Sequence, residues 1–308
     1  MKIVAVIPTY RAPETIGEVV ERALRFCDHV IVVDDKCPEN SGKKVDGRHP
    51  NLTTLFRDEN GGVGAATKTG VVQALDLGAD LIVKLDSDGQ MNPELIPDLI
   101  DPILSGSAEL SKGTRFDSPE DLEGMPKMRL LGNSALSLIN KFSSGYWTVN
   151  DPTNGFIAFS RKFASELSWA KIANDYFFES DLLFRARLIG ARISQMRMSA
   201  VYGEETSGLQ IFKVIFPFLF KHAKNQTKRL IYMYLVREWN LGTIYFFAAL
   251  VSLAVGAFAS AAALNQAERA GVGAGTAVLA SLGFILWVQF STQFLAADVA
   301  SEPRPKQN

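Results

Sequence analysis

The chain is poor in the residues that build covalent frameworks and transition-metal sites. Its 308 residues include two cysteines, Cys27 and Cys37, and three histidines, His29, His49 and His222, with no ligand spacing among them. A disulfide scaffold and a zinc site built on Cys or His are therefore not expected, and the cysteine usage fits a reducing cytosol. No charge excess exists either: 32 Lys and Arg stand against 33 Asp and Glu, a formal net charge of -1. Nucleic acid is accordingly not an expected partner, because a phosphate-binding surface shows itself as a basic surplus. The opening MKIVAVIPTYR turns polar too soon for a secretion signal and reads as a first buried strand. Two stretches lack charge altogether, residues 241–264 and 271–297, and each is long enough to cross a hydrocarbon core of about 30 Å as a helix.

What is present changes character along the chain. Up to about Gly203, short apolar runs alternate with longer stretches of helical periodicity, which predicts an α/β domain with a mostly parallel sheet and helices on both faces. Strands are expected over 2–7, 29–34, 52–56, 80–85, 109–113 and 155–160, and helices near 14–26, 63–77 and 93–104. After Gly208, FKVIFPFLFKHAKNQTKRLIYMYLVREW interleaves large apolar residues with Lys213, Lys221, Lys224, Lys228, Arg229 and Arg237. That mixture suits a bilayer interface, although an amphipathic helix packed on the domain has the same pattern. The expected organisation is a catalytic domain over 1–206, interface helices over 207–238, two transmembrane helices over 239–299 joined near 265–270, and a tail over 300–308. Cations crowd before the first span, and Arg304 and Lys306 follow the second, so a multi-pass membrane protein with both termini and the catalytic domain in the cytosol is predicted. Small residues such as Gly271, Gly273 and Gly275 permit close helix contact and homo-oligomerisation.

The residues suited to chemistry gather at predicted strand ends, where open α/β sheets present ligand-binding groups. LDSDGQ puts Asp86 and Asp88 two residues apart after a strand, with Gln90 offering an amide oxygen. Such a pair can hold a hard divalent cation together with a diphosphate, although Asp and Gly are also common in plain surface turns. IPTYR and VVDDKCPEN end the first two strands. ENGGVGAATKTG follows, and its glycines serve either close backbone approach to a ligand or a turn into a helix. KGTRF carries Arg115, KMRLLGNSAL carries Arg129, DPTNGF carries Asp151, Thr153 and Asn154, and FFESDLL carries Glu179 and Asp181.

In their order and spacing, IPTYR, VVDDKCPEN, ENGGVGAATKTG, LDSDGQ and DPTNGF resemble the family 2 glycosyltransferases, and especially the polyprenyl-phosphate sugar synthases, over about the first two hundred residues. The resemblance implies a GT-A, Rossmann-like fold, a UDP- or GDP-sugar donor, Mg2+ or Mn2+, inversion at the anomeric carbon and a polyprenyl phosphate acceptor. By matching motif it implies that Pro8 and Tyr10 line the base pocket and that Asp34 and Asp35 contact base or ribose. Asp86, Asp88 and Gln90 coordinate the metal, and Arg115 and Arg129 bind the acceptor phosphate. Glu179 and Asp181 stay open to three readings: a base for a hydroxyl acceptor, contacts to the donor sugar, or acids that begin a helix. A hydroxyl acceptor on a lipid-linked oligosaccharide or glycolipid, with Asp181 as base, is the alternative reaction; a non-catalytic membrane scaffold is the alternative class. One departure stands out, since VYGEETSGLQIF puts Glu204 and Glu205 where many synthases carry a cation for the diphosphate.

Overall fold

The computed structural model describes residues 1–116, 127–198, 211–267 and 271–306, with only the backbone described at 127–129 and 211–215. It divides into one unit of Met1–Gln226 with Pro303–Asn308, and a second of Thr227–Glu302.

The first unit is the α/β domain. Its strands are β1 (Ile3–Thr9), β2 (His29–Asp34), β3 (Leu52–Phe56), β4 (Leu81–Lys84), β5 (Leu110–Thr114), β6 (Ile157–Ser160) and β7 (Ile193–Arg197), in the order β3-β2-β1-β4-β6-β5-β7. β3, β2, β1 and β4 run parallel, β6 is antiparallel to both β4 and β5, and β7 is parallel to β5. Helices α1 (Ile16–Ala23), α2 (Val63–Asp76), α3 (Ile96–Leu104), α4 (Lys127–Ser144), α5 (Arg161–Glu166) and α6 (Phe178–Leu188) accompany them. The predicted helix over 93–104 is split: Asn92 caps a 3-10 turn at Pro93–Leu95 through the Glu94 amide, and α3 starts after it.

Strand residues alternate between faces. Val4, Val6, Ile31, Val33, Ile82 and Leu110 pack with residues of α2, α5 and α6, whereas Ala5, Ile7, Val30, Val32, Leu81 and Val83 pack with residues of α1 and α3. The same parity sends Lys84 and Lys112 to the face of Ile82 and Leu110. Both lysines are fully buried there, at the strand ends where the candidate site lies.

Helix α7 (Ile211–Ile231) starts in the first unit and ends in the second. Its pattern is inverted. His222, Asn225 and Arg229, at spacings of three and four, are buried, while Phe216 and Phe220 are 78% and 72% exposed. A helix resting on a soluble domain does the opposite.

In the second unit a π-helical turn at Tyr232–Arg237 precedes α8 (Leu241–Ala267) and α9 (Ala274–Ala300), both long and apolar enough to cross a membrane. Most of their large apolar side chains are exposed, among them Ile244, Val251, Phe258, Val278 and Ile285. The two helices meet at Gly256 and Gly283: a Cβ on Gly283 would lie 2.5 Å from the Gly256 backbone nitrogen. Of the small residues expected to make such contacts, Gly271 and Gly275 would have nothing within 4 Å of an added Cβ, whereas the Gly273 amide donates to Gln266 Oε1 of α8 at 3.1 Å. Near the end of α9, buried Asp298 receives two bonds from Arg229, at 2.6 and 3.0 Å, and one from the Tyr234 hydroxyl at 2.7 Å.

Candidate functional site

The end of β4 carries a buried charge cluster. Lys84 and Asp86 share strand parity, and the Lys84 ammonium lies 2.6 Å from Asp86 Oδ1 and 3.3 Å from Glu179 Oε1 at the start of α6. Burial opposes the charge on Lys84, but the two carboxylates more than offset it and leave its pKa above the ordinary lysine value. Burial raises the Glu179 pKa, with Lys84 opposing and Asp86 reinforcing the shift. Gly155 of DPTNGF makes the cluster possible. A Cβ there would overlap the Lys84 ammonium and come 2.7 Å from Asp86 Oδ2.

The turn after Asp86 is pinned from several sides. The Gln90 amide donates to Asp88 Oδ1 at 3.0 Å, the Thr15 hydroxyl donates to the Ser87 carbonyl at 2.6 Å, and Gly89 takes a φ of 77°. Beside it opens a cavity of about 660 Å³ lined by Arg22, Gly89, Gln90, Asn92, Leu95, Arg197 and Met198. Among the described residues no group of three or more His, Cys, Asp or Glu converges as a metal cage. Asp86 and Asp88 nonetheless fit a Mg2+ or Mn2+ that completes its shell with water and substrate phosphate, a mode that needs only one or two carboxylates. The Asp86 side chain remains 31% exposed beside Lys84, which leaves the carboxylate accessible to such an ion.

At the ends of β1 and β2 the structure gives the predicted nucleotide residues different surroundings. Pro8 is buried in β1 opposite Val33, and Tyr10 is 43% exposed, with the Arg11 guanidinium 5.4 Å from its ring. Asp34 is turned onto its own loop, accepting from the Cys37 amide at 2.6 Å and the Gly42 amide at 2.7 Å. Asp35 accepts from the Gly61 and Gly62 amides at 3.0 and 2.7 Å and pairs with Arg57 at 2.8 Å. Both carboxylates thus order the loops around the strand ends. The glycines of ENGGVG approach the protein's own chain: a Cβ on Gly62 or on Gly64 would each lie 2.8 Å from the Asn174 carbonyl.

Arg115 lies flat against Asp151, with Nε 2.7 Å from Oδ2 and Nη2 2.9 Å from Oδ1, a two-pronged pairing that fixes the guanidinium plane. Burial raises the Asp151 pKa, but bonds and charge from Arg115, with Lys112, bring it below the usual carboxylate range. Lys112 donates to the carbonyls of Asp151 and Asn154, and burial, partly offset by Asp151 and Glu179, lowers its pKa to about 8. Asn154 donates to Asp151 and accepts from the Phe156 amide. DPTNGF therefore orients Arg115, caps Lys112 and leaves room for Lys84. Arg129 lies in α4 with its side chain outside the described residues, as do Glu204, Glu205 and the side chain of Lys213.

Asp181 is buried and fully engaged. Its Oδ2 accepts from the Ala173 amide at 2.9 Å and Arg185 at 3.0 Å, and its Oδ1 from Asn225 of α7 at 2.9 Å. One turn away His222 meets the Ser143 hydroxyl at 2.7 Å between the Phe177 and Phe218 rings, and burial pushes its pKa down to about 4. Sequence reasoning missed Lys84, Lys112 and Gly155. The signal for the lysines was a charge set inside the apolar runs LIVKLD and ELSKGT.

Comparison with known proteins bears on the family. The model for glycosyl transferase family 2 matches residues 4–168, more than half of the chain. A UDP-N-acetylglucosamine--dolichyl-phosphate N-acetylglucosaminyltransferase of Methanococcus voltae is 32% identical over 218 residues, covering 66% of this chain and 86% of that protein. An undecaprenyl-phosphate mannosyltransferase of Micrococcus luteus is 29% identical, covering 66% and 85%, and a polyprenol monophosphomannose synthase of Mycolicibacterium smegmatis is 28% identical, covering 60% and 72%.

Proposed function

Because the chain belongs to glycosyl transferase family 2, we propose that this glycosyltransferase moves a hexose from a UDP- or GDP-sugar to a polyprenyl phosphate at the membrane surface. The relatives named above act on dolichyl or undecaprenyl phosphate and polyprenol carriers, which supports a lipid-phosphate acceptor. The observation that carries the choice of acceptor is the state of Asp181. A hydroxyl acceptor needs a base to remove its proton, whereas a phosphate oxygen is already anionic. Asp181 is committed to three donors that hold α6, the 173 segment and α7 together, which is the work of a structural carboxylate.

In this reading the donor diphosphate lies at the end of β4 and the nucleotide along the ends of β1 and β2, with the Tyr10 ring beside it and Asp34 and Asp35 ordering the surrounding loops. Asp86 and Asp88, with Gln90, would hold Mg2+ or Mn2+, which supplies positive charge to the departing diphosphate. Arg115, its plane set by Asp151, and Arg129 receive the acceptor phosphate, since a guanidinium stays charged and grips phosphate oxygens in pairs. A cavity of about 450 Å³ along α4, lined by Phe116, Leu130, Ser134, Leu138 and Lys141, adjoins Arg115 in sequence and suits the first part of the carrier. The phosphate oxygen attacks the anomeric carbon, the bond to the diphosphate breaks, and configuration inverts. No side chain need take a proton.

The exposed apolar faces of α7, α8 and α9 support membrane residence, with α7 at the interface and α8 and α9 spanning. The cations before α8 and after α9 support a cytosolic placement of both termini and the catalytic domain. Asp181→Asn tests the acceptor. Transfer to polyprenyl phosphate is expected to stay within about tenfold of wild type, while a hydroxyl-acceptor enzyme would lose about a hundredfold or more.

A further inference from the structure

Lys84 is an unusual occupant of its position. It stands in the central strand β4, fully buried, on a face whose preceding member is Ile82, and an apolar side chain of that length would fill the same space. The chain instead keeps an ammonium there, sets two carboxylates on it, and omits the side chain at 155 to make room. A buried ion pair is a weak device for stability, because desolvation cancels most of its attraction. Its placement is specific, however: the ammonium touches the first carboxylate of Asp-Ser-Asp.

From this contact we propose that Lys84 is a positioning residue that competes with the bound cation for Asp86. The inference rests on the assignment of Mg2+ or Mn2+ to Asp86 and Asp88. In the protein without cation, Lys84 neutralises Asp86 and holds it in place. A cation that uses Asp86 meets a unit positive charge already on that carboxylate, so its affinity for the bare protein is held down. The anionic diphosphate supplies the missing attraction, and cation and donor are retained together. After transfer, loss of the nucleotide returns Asp86 to Lys84 and lets the cation go. Glu179 keeps Lys84 charged and at the strand end throughout.

A merely structural Lys84 predicts the opposite sign. Without it Asp86 would lose its orientation, and cation binding would weaken. Competition predicts that removing the ammonium tightens binding, because a like charge in contact with a ligand oxygen is gone.

The test is Mn2+ binding to the full chain in detergent, read from the free-ion electron paramagnetic resonance signal, with thermal melting as the check on folding. Lys84→Met is expected to bind Mn2+ alone on the order of tenfold more tightly than wild type. Lys84→Met/Glu179→Gln removes the ion pair as a unit, guards against a folding defect in the single variant, and is expected to bind more tightly as well. Mn2+ affinity equal to or below wild type in both variants overturns the competition while leaving the metal site standing. No Mn2+ binding to wild type or variants, with UDP or GDP present, overturns the metal assignment and this inference with it.

Discussion

Gly155→Ala is the smallest change that strikes the site from behind. The added methyl would overlap the Lys84 ammonium, lie 2.7 Å from Asp86 Oδ2 and lie 3.3 Å from Met91 Cε. Ordinary contact distances are about 3.5 Å or more, so the Asp86 carboxylate must retreat by roughly 0.8 Å and the ammonium by more. Lys84 has nowhere to go, being fully buried with Glu179 on it. Overpacking of this kind costs about 1–3 kcal/mol, and loosening a buried ion pair adds to it, so about 3 kcal/mol is expected in total. For a unit of this size that is a fall of roughly 6–12 °C in Tm. Turnover should fall further than stability implies, by about a hundredfold, because a displacement near 1 Å at a positioning group is that costly. The assay is a thermal melt in detergent paired with sugar transfer well below the melting temperature. Gly132→Ala, on the exposed side of α4 with nothing within 4 Å, is the control and should gain up to about 1 kcal/mol. A Gly155→Ala protein that melts and turns over like wild type would refute the packing argument.

Three further outcomes are expected. The His222 pKa is depressed to about 4 when folded, so the unfolded chain takes up the proton first as pH falls; the stability this lends is complete above about pH 6.5 and is lost toward pH 4, about 2 kcal/mol of it by pH 5. His222→Gln should flatten that part of the pH–stability curve, measured by denaturant unfolding. Arg229→Met takes the Arg229 guanidinium away from the buried Asp298 carboxylate and should cost about 3–5 kcal/mol in a detergent melt, most of it recovered in Arg229→Met/Asp298→Leu. Asp88→Asn keeps an oxygen for the Gln90 amide at this half-buried turn, so the proposed cation role predicts a near wild-type melt with transfer reduced by about a hundredfold or more.

The central strands were legible because β1, β2 and β4 are buried and read as apolar runs: β2 and β3 fall on the predicted residues and β1, β4 and β5 within two, whereas the half-buried ISQMR of β7 carries no such run and was not predicted. The reversed direction of β6 was not legible, since pairing direction leaves no mark in four residues. The site was legible as motifs and illegible as contacts. Asp35 reads as a strand-end acid, and nothing local says that amides 26 and 27 residues away will occupy it. Arg115 reads as a phosphate ligand, and only the fold shows that Asp151, 36 residues on, pairs with its guanidinium. Glu179 and Asp181 looked interchangeable in FFESDLL; two positions along a helix turn one toward Lys84 and the other toward α7. Lys84 was visible all along as a charge in an apolar strand, and only strand parity shows what it faces.

The measurement that bears most directly on the proposed activity is sugar transfer by the detergent-purified chain, with Mg2+ or Mn2+, a panel of radiolabelled UDP- and GDP-sugars, and undecaprenyl phosphate as sole acceptor. The account predicts a labelled lipid that mild acid cleaves, formed from one donor of the panel and absent with Asp88→Asn. Donor binding or hydrolysis with no labelled lipid, alongside efficient transfer to a lipid-linked sugar hydroxyl, would contradict it.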